Sequence, residues 1–147
     1  IKRGELEAHR IGRYIRISQT QFELYLLKAK GYENIYEAVI SRDCNGTFAN
    51  IGSVKIYVDT ALEGQVKVSV RPENIILSMG TFISSARNVH KGTVTDIIAS
   101  GSKVFVTVDI GISIKALITE KSLREMRIEK GTELYAVFKT MSVTVYK

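Results

Sequence analysis

Apolar side chains recur at every second position along much of this chain, in runs too short and too often broken to be helices. Val54, Ile56 and Val58 alternate with Lys55 and Tyr57, and Val66, Val68 and Val70 alternate with Lys67 and Ser69. A period of two puts one set of side chains on a buried sheet face and the other in solvent. Further strand-like runs fall at about 91–99, 102–109, 112–119, 132–138 and 142–146, punctuated by Gly101, Gly111 and Gly131. Asn45-Gly46 predicts a hairpin turn. The single proline, Pro72, ends a strand where a missing N–H is tolerated. The spacing predicts a mainly β protein.

Helical signals interrupt this pattern twice. Ser18 and Gln21 form a capping box, Phe22, Tyr25, Leu26 and Ala29 follow at helical spacing, and Gly31 is a terminator. That aromatic and aliphatic stripe reads as core packing. Before it stand a short strand-like piece, Ile1 to Glu7, and a turn near Gly12. The second signal covers Glu120 to Ile128, with Thr119 as N-cap and Ser122 three residues on. Five strands with one helix after the third match the order of an OB-type barrel. A faint repeat links the two β zones: Asn34-Ile35-Tyr36 parallels Asn88-Val89-His90, and Gly64 to Pro72 parallels Gly131 to Thr140. The expected organisation is a hairpin and helix over 1–33, a shortened β lobe over 34–78, and a complete barrel lobe over 79–147.

Composition removes several function classes. The 147 residues are 45% hydrophobic and 24% charged, which suits a folded domain. No stretch approaches the ~20 apolar residues of a membrane span, and no secretory leader opens the sequence. Beginning on Ile1 rather than Met, the chain reads as a fragment or a processed product. One cysteine, Cys44, excludes an intrachain disulfide and makes a reducing compartment the easier home; with only His9 and His90 beside it, a zinc site lacks ligands. His90, before Lys91-Gly92, reads as a solvated loop histidine. No nucleophile–base pair or paired-carboxylate spacing suggests an enzyme. The net charge of +6 suggests anionic partners.

The chemistry of the second half lies in donors. Ser84-Ser85-Ala86-Arg87-Asn88 packs hydroxyls, main-chain N–H groups and a guanidinium together with no carboxylate. Thr119 with Ser122 opens the short helix, where unpaired N–H groups favour negative charge. Lys139-Thr140 leaves the fourth strand of the second lobe. Separately, each cluster has an ordinary alternative as turn, cap or solvated surface. Together, at related strand ends, they point to an anion site. Molybdate, tungstate and sulfate carry no proton at neutral pH, whereas phosphate is often monoprotonated. A donor-only pocket leaves that proton unpaired, at a cost of about 1–3 kcal/mol.

These residues resemble the molybdate-binding (Mop-like, or TOBE) domain, whose hallmark is Ser-Ala/Gly-Arg-Asn leading into Gly-Thr-Val. Here the hallmark is Ser85-Ala86-Arg87-Asn88 and Gly92-Thr93-Val94, with Ala116-Leu117-Ile118-Thr119, Ser122, Gly131 and Val137-Phe138-Lys139-Thr140 as further matches. The resemblance implies that the Ser-Ala-Arg loop of one subunit and the Thr-x-x-Ser segment of another close around the oxyanion. That implicates Ser85, the main chain of Ala86, Arg87, Thr119, Ser122, Lys139 and Thr140. Upstream, Gly31 to Glu37 and Val68 to Ile75 resemble the C-terminal part of ATP-binding subunits of molybdate/tungstate ABC importers, and Ile1 to Leu6 looks like the last hairpin of their nucleotide-binding domain.

The implied fold is a pair of OB-like barrel lobes, the second Mop-like and five-stranded with one short helix, preceded by an N-terminal helix. The implied ligand is molybdate or tungstate. The implied partners are a second copy through the regulatory lobes, and the nucleotide-binding domains and membrane permease of a transporter on the inner face of the cell membrane. The implied role is trans-inhibition. No G-x-x-x-x-G-K-[ST] occurs, so no ATP site is expected in this chain: either it is the regulatory part alone or an ATPase core lies upstream. Two other readings stand beside this one. A sugar-importer regulatory domain would share the barrel and Arg71-Pro72-Glu73 but not need the donor loop. A nucleic-acid-binding OB module would use aromatic faces for stacking, against which Phe105 and Tyr135 have Asp109 and Glu133 nearby.

Overall fold

A computed structural model describes residues 8–11, 14–18 and 34–147. The predicted strand Ile1 to Glu7 and, Ser18 apart, the helix with Phe22, Tyr25, Leu26 and Ala29 lie outside the described residues. What is described is mainly β. A hairpin of β1 (Ala8–Ile11) and β2 (Tyr14–Ile17) comes first. The first lobe follows, with β3 (Asn34–Asp43), β4 (Gly46–Ile51), β5 (Val54–Tyr57) and β6 (Gln65–Val70). A 3-10 turn (Pro72–Asn74) then leads to β7 (Ile76–Ser78). The second lobe repeats the order: β8 (Asn88–Ser100), β9 (Lys103–Asp109), β10 (Ser113–Thr119), helix α1 (Glu120–Glu125) and β11 (Glu133–Phe138). Another 3-10 turn (Thr140–Ser142) leads to β12 (Val143–Tyr146).

The alternation in sequence becomes burial. Val54, Ile56, Val66, Val68 and Val70 point into the core while Lys55 and Lys67 stay exposed. Each such side chain contributes about 1.5–3 kcal/mol by leaving water. One apolar cluster runs through both lobes, from Ala38 to Val143. The β3–β4 turn is centred on Cys44 and Asn45, one residue before the expected Asn45-Gly46. Asp43 pairs with Gly46, and the Asp43 carboxylate accepts from Asn45 N at 2.7 Å. The β2–β8 pairing is parallel and docks the N-terminal hairpin on the second lobe.

The repeat is exact in topology, with one difference from the expected in-order barrel. β12 does not complete the second lobe. It pairs with β6, Val143 facing Val70, in a sheet ordered β12-β6-β3-β4-β5. Its place beside β11 is taken by β7, with Ile76 opposite Val137. Each lobe thus borrows its last strand from the other half. The cause is the turn after β6 and after β11, which sends the chain across rather than back. Both turns close on the same main-chain bond, Ile75 N to Pro72 O in one and Val143 N to Thr140 O in the other.

Two asparagines seal the exchange. Asn34 accepts from Lys115 N at 2.8 Å and donates to Lys115 O at 3.0 Å, across to β10. Asn88, fully buried, accepts from Tyr57 N at 2.8 Å and donates to Tyr57 O at 3.1 Å, across to β5. The Asn-initial repeat is therefore a reciprocal clamp. Gly92 has a steric reason: a Cβ there would lie 2.5 Å from Asp109 O and 2.7 Å from Val108 Cγ1, so β8 approaches β9 closely only with glycine.

Candidate functional site

The segment between β7 and β8 carries the donor loop. Ser84 Oγ accepts from Ala86 N at 3.1 Å, bending the loop so that Ser84 and Ser85 remain exposed. Asn88 pins its far end through Tyr57. Across from it, β11 ends at Phe138 and delivers Lys139 exposed, with Lys139 O accepting from Ser142 N at 3.0 Å to start the turn. The loop and this turn face one another over an open groove of about 410 Å3, lined by Ser84, Ser85, Ala86 and Lys139 among others. Thr140, half-buried, sits in the same turn between Lys139 and Ser142. Arg87 is exposed at the loop's end and is not part of the groove wall.

Thr119 and Ser122 form their own cluster. Thr119 Oγ1 accepts from Ser122 N at 3.1 Å, which makes it the helix N-cap, and donates to Ser122 Oγ at 3.1 Å. The helix is shorter than expected: it stops at Glu125, and Arg127 turns left-handed with φ of 55° so that Ile128 N reaches Leu123 O at 3.1 Å. Register fixes where this cluster lies. Thr119 pairs with Lys103, which pairs with Ser100 at the end of β8, whereas the donor loop precedes Asn88 at its beginning. Within one chain, Ser85, Ala86 and Lys139 share the groove wall, and Thr119 and Ser122 do not line it.

The structure adds groove residues that sequence reasoning missed. Glu73, Asn74 and Ile76 come from the first half, because strand exchange lays β7 and its turn beside β11; Phe82 and Ser142 complete the wall. The groove is therefore not free of carboxylate. Arg71 Nε lies 2.9 Å from Glu73 Oε2, and this hydrogen bond holds the Glu73 carboxyl below its ordinary range against a smaller effect of burial. Large apolar side chains stand exposed at the rim: Ile76, Phe82, Ile83 and Met141, the last two 104% and 86% exposed.

His90 differs from its expected setting. It lies within β8, opposite Ala136, because pairing with β11 begins at Asn88. The ring is half-buried and stacked on Phe138 at 5.8 Å between centroids, and burial lowers its pKa from the ordinary 6.5. Phe105 is buried at 4% exposure and offers no face for base stacking. Among the described residues no helix is long and apolar enough to cross a membrane, and no His, Cys, Asp and Glu group could hold a metal ion.

Tandem five-stranded lobes with exchanged last strands, and a donor loop entering the first strand of the second, define a class of tandem, strand-exchanged β-barrel modules. Residues 84–145, most of the second lobe, match the TOBE domain model. Over 117 residues it is 41% identical to the molybdate/tungstate import ATP-binding protein WtpC of Pyrococcus abyssi (strain GE5 / Orsay), covering 79% of this chain and 33% of that protein. The protein of the same name from Pyrococcus horikoshii is 38% identical over 117 residues, with the same coverage. The chain spans about a third of the length of these curated relatives. In three dimensions it is similar to the cytoplasmic molybdate-binding protein ModG in a molybdate-bound crystal form. The TM-score is 0.68 at 20% identity, over 77% of this chain and 94% of that one, a likeness of fold.

Proposed function

We propose that this chain is the oxyanion-binding regulatory part of an ABC import ATPase, that it takes molybdate or tungstate, and that two copies share each site. The observation that carries this reading is the division of donors. The groove wall holds Ser85, Ala86 and Lys139, while Thr119 and Ser122 lie outside it. A cage that uses both sets needs a second copy. Volume supports the same reading: four oxygens at the ~30 Å3 a water takes in the liquid fill on the order of 120 Å3, far less than the groove. The exposed apolar rim supplies a surface a partner can cover. The similarity to import ATP-binding proteins and the ModG-like fold agree with the ligand class.

The role is regulatory and not catalytic, and the place is the cytoplasmic side of a transporter whose ATPase and permease are partners. An anion that binds only when two regulatory lobes meet stabilises that arrangement by its differential affinity. Accumulated oxyanion then holds the paired ATPases apart and halts import. Sedimentation velocity tests the two-copy site: tungstate is expected to shift the chain toward dimer at concentrations where sulfate does not. A chain that binds tungstate while remaining monomeric would contradict it.

A further inference from the structure

Among the described residues, Glu73 is the only acidic side chain in the groove wall and Lys139 the only basic one. The carboxylate is not required to close its turn. By the register of Val70 with Asn34 and Phe138 with Asn88, Arg71 occupies the position of Lys139 and Glu73 that of Met141. The second turn closes on the same main-chain bond with methionine in that place. Arg71 fixes the carboxylate as an ion at 2.9 Å, so the groove holds a permanent acceptor that cannot donate.

We propose that Glu73 is a specificity-determining residue of the groove, a fixed negative charge that penalises proton-free dianions and gives a protonated oxyanion an acceptor. The proposal rests on the oxyanion reading above. Repulsion acts on every anion, but a monoprotonated one offsets part of it by donating its O–H to the carboxylate. Removing the charge lifts that penalty most for molybdate and tungstate, which have no proton to donate.

Calorimetric titration of the wild-type chain and Glu73→Gln with sodium tungstate and with inorganic phosphate, at one ionic strength, tests this. Glu73→Gln is expected to bind tungstate about fivefold or more tightly, with a smaller gain for phosphate. Glu73→Met, which copies the second turn, carries the same expectation should Glu73→Gln fold poorly; urea unfolding midpoints establish that each variant is folded. A wild-type chain that binds tungstate and gains nothing in either folded variant overturns the inference alone. A wild-type chain that binds neither anion overturns the oxyanion reading and the inference with it.

Discussion

Asn88 and Tyr57 join the two lobes through a closed ring of two hydrogen bonds, 2.8 Å to the carboxamide oxygen and 3.1 Å from its nitrogen. Asn34 makes the matching ring on Lys115 in the opposite direction. The donor loop ends one residue before Asn88, so the clamp that joins the lobes also anchors the candidate site. Candidate site and fold meet at a single side chain.

Replacing Asn88 by alanine strips partners from two main-chain groups at a buried position. An unfolding cost of about 2–4 kcal/mol is expected, read from urea denaturation followed by circular dichroism. A loss under ~0.5 kcal/mol would mean that water replaces the carboxamide freely and that the clamp is not structural.

Strand exchange makes the C-terminus part of the first lobe. Deleting residues 143–147 uncovers the β6 edge opposite Val143 and Val145. Hydrogen exchange is expected to rise at Val68 and Val70, more than sixty residues away in sequence, with β11 affected less. Were the faster exchange confined to β11, the in-order barrel would be the correct topology.

His90 ties stability to mild acid. Burial against Phe138 favours the neutral ring in the folded state and lowers its pKa from 6.5. The unfolded chain therefore takes up a proton first as pH falls below about 6.5, and stability declines; above that value the contribution is complete. His90→Gln is expected to lose less stability than wild type between pH 7.5 and 5.5, read from urea unfolding midpoints at the two pH values. Parallel pH profiles for the two proteins would show that the imidazole does not titrate differently on folding.

How much of this was legible in the residues differs by range of interaction. Strands β8 to β11 lie close to where alternation put them, and Thr119 caps its helix as read, because period and capping are local. The exchange of β7 and β12 was not legible. Three residues, Ile76–Ser78, are too few to show a period, and pairing partners are set by the path of a turn rather than by composition. Glu73 entered the groove through that same exchange, so a donor-only pocket was the natural reading of the loop by itself. His90 reads as a loop residue because Lys91-Gly92 follows it, although exposed Lys91 lies on the outer face of a strand.

The central claim is tested most directly by isothermal titration of four anions, molybdate, tungstate, sulfate and phosphate, into the wild-type chain and into Lys139→Ala, which removes the cation of the groove wall. The account predicts molybdate and tungstate affinities well below millimolar, much weaker sulfate and phosphate, and loss of most binding in a Lys139→Ala protein with an unchanged unfolding midpoint. Equal affinities for all four anions, or full affinity without the Lys139 ammonium, would contradict it.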